Sequence, residues 1–207
     1  MSHQDFFQRL LAKTKEAFSR SDVNAKYGEK QWYYSVCASP IQPGKPVVLG
    51  INWGVGQGGH AAQMEMPSGF NIQDYDFIGD SAGFLQKYFA IDTSMPDFNY
   101  TNLCFFRTPS IKYLSAKDYK LSLPLFEEYV AYVQPPYLLS IGTGNFDVLR
   151  KQKRIAEWKQ TDVASAPMQG IAARYNGIKS LFVPHPQARL TNEHRAELWR
   201  QTALLEI

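Results

Sequence analysis

The 207-residue chain is long enough for one full hydrophobic core and short for two, and its 44% hydrophobic and 14% aromatic content is that of a packed globular protein, not a disordered one. A formal charge of +3 permits nucleic-acid binding without announcing it. No apolar run approaches the ~18–20 residues that a membrane helix needs, and two cysteines are too few for a disulfide framework, which points to reducing, cytoplasmic surroundings.

Residues 2–19 read as an amphipathic helix, with Phe6, Phe7, Leu10, Leu11, Ala17 and Phe18 near one face and a capping-box pattern at Ser2 and Asp5. Its acidic residues Asp5 and Glu16 set it apart from a targeting peptide. Trp32 to Val36 reads as a short strand, followed by a loop rich in proline that delivers the chain into Val47–Ile51. That apolar run lacks polar alternation, as a strand buried on both faces does. It breaks into a glycine-rich stretch, Gly54, Gly56, Gly58 and Gly59, where backbone N–H groups can approach a ligand closely. His60 to Met66 suggests one or two helical turns, and Ser81 to Ala90 a helix with Phe84, Leu85, Tyr88 and Phe89 on its apolar side.

Asn99 to Phe106 is a second buried strand. Ser122 is the expected cap of a helix with Pro124 in its first turn, running to Val133. Tyr137 to Ile141 is a third strand, leading through Gly142-Thr143-Gly144 to a helix that carries Arg150, Lys151, Lys153 and Arg154. Asn176-Gly177 is a favoured two-residue hairpin turn between 171–175 and 178–183, and a last helix runs from Thr191 or Asn192 to about Leu205. Strands alternating with helices specify an α/β fold, a three-layer sandwich with a mostly parallel central sheet. One domain spans 1–207, with residues 1–45 as a helical extension packed on it.

The stretch Gly54–Gly59 fits the dinucleotide pattern GxGxxG, but Pro67 and Gly69 cut short the helix that a nucleotide-dependent oxidoreductase requires there. No Gly-Lys-Ser/Thr follows, which excludes a P-loop. Two other features stand out. Asn102 is a polar residue inside an apolar strand, where its amide must be satisfied. His185 follows a strand and is held between two prolines, which fix the direction of the backbone that carries it.

Taken together, Gly50-Ile51-Asn52-Trp53-Gly54, Asn102-Leu103-Cys104-Phe105 and His185-Pro186-Gln187-Ala188-Arg189 resemble, in order and rough spacing, three motifs of the uracil-DNA glycosylase superfamily. The resemblance is greatest to its single-strand-selective monofunctional and mismatch-specific branches. It implies the glycosylase fold and a monomeric, cytoplasmic hydrolase without cofactor or metal, cutting the N-glycosidic bond of uracil or a related base in DNA. By this resemblance Asn52 positions the attacking water and His185 donates to the departing base. Asn102 reads the base edge, with Gly50, Ile51, Trp53 and Phe70 around the base. Gly54, Gly56, Gly58, Gly59, Pro186, Gln187 and Arg189 meet the DNA, Arg189 filling the gap left by the flipped base. Trp53 stands where the family has a proline, and Gln187 and Ala188 where it has Ser-Pro. The departures leave a second reading, a catalytically inactive relative that binds nucleic acid or a free base, and the glycine loop leaves a weaker third, a nucleotide-cofactor oxidoreductase.

Overall fold

The computed structural model describes residues 1–27, 33–53, 62–70, 76–94 and 97–207. Six strands form one sheet in the order β2-β1-β3-β6-β5-β4. Its parallel part is β2 (Asn99–Arg107), β1 (Val47–Trp53), β3 (Leu138–Ile141) and β6 (Ile178–Val183). The antiparallel strands β5 (Ile171–Tyr175) and β4 (Ile155–Gln160) extend it at one edge. Successive residues of β1 face opposite cores: Val47 and Leu49 pack on one side, Val48 on the other. The first side is covered by α1 (His3–Ser19), α5 (Ala116–Val133) and α6 (Gly144–Lys151). The second is covered by α4 (Ala82–Phe89) and α7 (Asn192–Leu204), with the short α3 (Asp76–Gly79) before them. The protein is therefore a three-layer α/β fold, and a helix on each face explains why its parallel strands read as unbroken apolar runs.

The N-terminal segment joins the same core. Phe6, Phe7 and Leu10 are buried in the cluster that contains Leu103 and Phe105 of β2, and Ser2 and Asp5 form the capping box expected of them. A short helix, α2 (Asp22–Tyr27), follows α1; its first turn is held by Asp118, whose carboxylate accepts from the backbone of Asp22 at 2.8 Å. Asn176 and Gly177 take positive φ of 49° and 81° in the β5–β6 turn, as a two-residue hairpin demands.

Four sequence expectations need correction. Helix α5 begins at Ala116, because Ser115 and Asp118 form a capping box there; Ser122 is not a cap but accepts from the Phe105 amide, and Pro124 lies inside the helix. Residues 62–66 are not helical: Gln63 instead lies along residues 34–37, its amide taking the Val36 N–H at 2.7 Å and giving to the Cys37 carbonyl at 2.7 Å. His60 itself is outside the described residues. The expected strand at Trp32 to Val36 amounts to a bridge between Tyr34 and Phe106, Trp32 again lying outside. Helix α6 stops at Lys151, and Arg154 beyond it pairs with Glu127 at 3.2 Å.

Among the described residues no helix is long and apolar enough to cross a membrane. Cys37 and Cys104 are free and buried; burial pushes both thiols up, Cys104 to about 12, so neither is a ready nucleophile.

Candidate functional site

In an open parallel sheet the ligand crevice lies outside the carboxyl ends of the strands where the chain reverses its direction of winding. Here the chain leaves β1 for β2 on one side and returns for β3 on the other, so the crevice opens where β1 and β3 part. Gly50, Ile51 and Asn52 end β1, Asn102 lies beside Gly50 on β2, and His185 follows β6.

Gly50 and Asn102 are paired across the ladder, and the asparagine side chain lies over the glycine. A Cβ at Gly50 would stand 2.1 Å from Asn102 Oδ1 and 3.4 Å from the Tyr100 hydroxyl. Any side chain here would have to displace the Asn102 amide. Asn102 is 1% exposed, and its Nδ2 is buried with no hydrogen-bond partner. A buried donor left unpaired costs ~1–3 kcal/mol unless water or a ligand completes the pair. Phe70 is half-buried and packs edge-on against Tyr100, the residue on the same face two positions before Asn102, with ring centres 5.8 Å apart.

Asn52 is fixed by Thr108. Its Nδ2 donates to Thr108 Oγ1 at 2.8 Å and to the Thr108 carbonyl at 3.0 Å. The Thr108 hydroxyl spends its own proton on the Ser110 carbonyl, so both oxygens facing Asn52 can only accept. The amide cannot flip, and Oδ1 is presented as an acceptor. Trp53 follows Asn52 at the end of β1. A shift of register between Asn52 and Trp53 turns the indole into the core, where it is 4% exposed, edge-on to Tyr100, and donates to the Ser35 carbonyl. Ile51 packs against the start of α6, where a Cβ at Gly144 would lie 3.2 Å from Ile51 Cδ1.

His185 sits on a corner held from below: the buried Trp199 of α7 donates to the Pro184 carbonyl at 3.2 Å. The turn beyond is closed by the Ala188 N–H donating to the His185 carbonyl at 2.9 Å and by Arg195 donating to the Ala188 carbonyl at 3.0 Å. The Gln187 backbone N–H donates to His185 Nδ1 at 3.2 Å, which places the proton of a neutral ring on Nε2. Burial lowers the pKa of His185 below its ordinary 6.5, and the carboxylate of Asp80 opposes that shift. The ring is therefore neutral at pH 7. It stands against Gly142 at the end of β3: a Cβ there would be 3.9 Å from His185 Cδ2.

Pro186 is half-buried in the same turn, and Gln187 and Arg189 are exposed. Gly54, Gly56, Gly58 and Gly59 lie outside the described residues. The residues missed by sequence reasoning are Thr108, Asn145, Arg195 and Trp199, which hold the others in place. The pattern that could have flagged one of them is a hydroxyl right after the apolar run of β2, the position of Thr108. No protein-family model matches this chain, and a search of curated proteins likewise finds no match.

Proposed function

We propose that the protein is a monofunctional DNA glycosylase that hydrolyses the N-glycosidic bond of uracil or a related deaminated base. The observation that carries this reading is that Asn52 and His185 are each locked in the one state such a hydrolysis uses. Asn52 offers only its carbonyl oxygen, an acceptor that aligns a water without deprotonating it. His185 is neutral with its proton on Nε2, a donor for the charge that builds on the departing base. One such donor is worth ~2.7–4 kcal/mol in a transition state.

The remaining parts fit the same chemistry. The unpaired Nδ2 of Asn102 is a donor suited to a base carbonyl, and Phe70 offers an aromatic ring against Tyr100, two positions before Asn102 on β2. Trp53 supports activity in place of the family's proline, because its buried, hydrogen-bonded indole anchors the backbone after Asn52. Exposed Arg189 follows His185 on the turn, and on this reading it fills the gap that flipping leaves, a process that costs a few kcal/mol. The substrate is DNA, the acting form a monomer without cofactor, and the compartment the cytoplasm, in keeping with two free thiols.

The test is single-turnover incubation with oligonucleotides carrying uracil, hypoxanthine, xanthine or 5-hydroxymethyluracil, single-stranded and duplex. Excision of at least one base is expected, with His185→Ala slowing it by ~10²–10³ while the fold is kept. No excision from any substrate refutes the reading; tight DNA binding in that case would leave a binding protein on the same fold.

A further inference from the structure

The ladder between β1 and β3 runs from Val47↔Leu138 to Leu49↔Ser140 and then stops. Beyond it β3 turns away through Gly142, at φ +115°. The carbonyl of Gly50 thus lies past the last pair, at the mouth of the crevice, where a strand would otherwise supply its donor. Asn145, in the first turn of α6, supplies it instead. Its Nδ2 donates to the Gly50 carbonyl at 2.9 Å and to Ser140 Oγ at 2.9 Å. Ser140 Oγ passes its proton on to the Gly142 carbonyl at 2.8 Å, and Gly142 is the residue against which the His185 ring stands.

Both partners of the Asn145 amide can only accept, since the Gly50 oxygen is a carbonyl and the Ser140 proton is already given away. The amide is therefore held in one orientation, and it keeps that orientation although its Oδ1 is buried with no partner. A side chain 1% exposed, with both amide protons spent across the gap between two strands, is a strut.

We propose that Asn145 is a positioning residue, setting through Gly50 and through Ser140–Gly142 the distance between the strand end that carries Asn52 and the corner that carries His185. The reaction it serves rests on the glycosylase reading; the coupling itself rests on the hydrogen bonds alone. A misplacement of ~1 Å at reacting groups can cost ~10² in rate, so a strut of this kind acts on turnover more than on binding.

The experiment uses the full chain with Asn145→Ala, Asn145→Asp, Ser140→Ala and the double alanine variant, and two readouts. Without ligand, the ring resonances of His185 and the side-chain amide resonances of Asn52 are expected to move together in both Asn145→Ala and Ser140→Ala. His185 signals unchanged in both variants overturn the proposal. With a uracil-containing oligonucleotide, Asn145→Ala is expected to lose at least ~10-fold in single-turnover rate with DNA affinity held within ~3-fold, and the double variant to be no slower, because the two residues act as one unit. Asn145→Asp keeps the size but, when ionised, offers Gly50 only acceptors, so it stays as slow as alanine. Full activity in Asn145→Asp, or rate lost only in proportion to affinity or fold, overturns the proposal. Where Asn145→Ala fails to fold, Ser140→Ala gives the same two readouts. If the wild-type protein excises nothing, the glycosylase reading fails and the resonances still decide the strut.

Discussion

Gly50→Ala is the sharpest perturbation the site offers, because a single methyl group is aimed at one atom. The new Cβ would begin 2.1 Å from Asn102 Oδ1, against 3.4 Å for an ordinary contact. The amide must retreat by roughly 1 Å in an interior packed at crystal density. Asn102 has no room to do so freely, being buried on a strand paired to the one that pushes it. Overpacking of this kind costs about 1–3 kcal/mol, and each kcal/mol is worth about 2–4 °C in Tm at this chain length. If Asn102 reads the base, as proposed, the same ~1 Å should cost ~10² in single-turnover rate. The assay sets thermal unfolding beside excision for Gly50→Ala, Asn102→Ala and the double variant. Removing the Asn102 side chain relieves the clash, so the double variant should regain most of the lost Tm, a strong non-additivity expected of residues in contact. It should regain none of the rate. Wild-type excision by Gly50→Ala, or recovery of rate along with Tm in the double variant, would refute the argument that Asn102 faces the substrate.

Thr108→Val takes one acceptor from the Asn52 amide, leaving the Thr108 and Trp53 carbonyls, and should slow excision by up to ~10-fold, whereas Thr108→Ser keeps the hydroxyl and the rate; equal rates in both variants dismiss the lock. Protonation of His185, whose pKa lies below the ordinary 6.5, takes away the acceptor of the Gln187 N–H and with it the fixed direction of the ring, so activity should hold at neutral pH and fall as pH drops through that pKa. Asp80→Asn removes the charge that raises this pKa, so the acid limb of the profile should move to lower pH; a move to higher pH contradicts the assignment. Arg189→Ala should weaken DNA binding and reduce the slope of log K against log salt by about 1 if the side chain meets a phosphate. An unchanged slope in a salt titration removes that contact.

The buried parallel strands were legible because a strand covered on both faces has to be apolar throughout, and Asn52, Asn102 and His185 stood out against or just after such runs. Strand β4 was not legible: Ile155–Gln160 is exposed along most of its length, an edge strand whose residues are chosen by solvent and by pairing with β5. The start of α5 was misread because Ser122 with Pro124 imitates a helix start, while the actual capping box seven residues earlier lies in a polar stretch without periodicity. The residues that hold the site were hidden for a different reason. Thr108 reaches Asn52 across 56 positions and Asn145 reaches Gly50 across 95. Such pairs are set by which strands become neighbours, and nothing local in the chain marks them.

The indole of Trp199 beneath Pro184 and that of Trp53 beyond Asn52 place two chromophores at the two corners of the crevice, both shielded from water. Trp158 lies on the far edge strand and is 44% exposed, so solvent quenchers reach it first. In a Trp32→Phe variant with Trp158 silenced by iodide, the remaining emission comes from Trp53 and Trp199, at the ends of β1 and β6. The chain thus carries its own optical probe of the site: a base entering between Asn52 and His185 would register in the blue part of the emission, without any label attached.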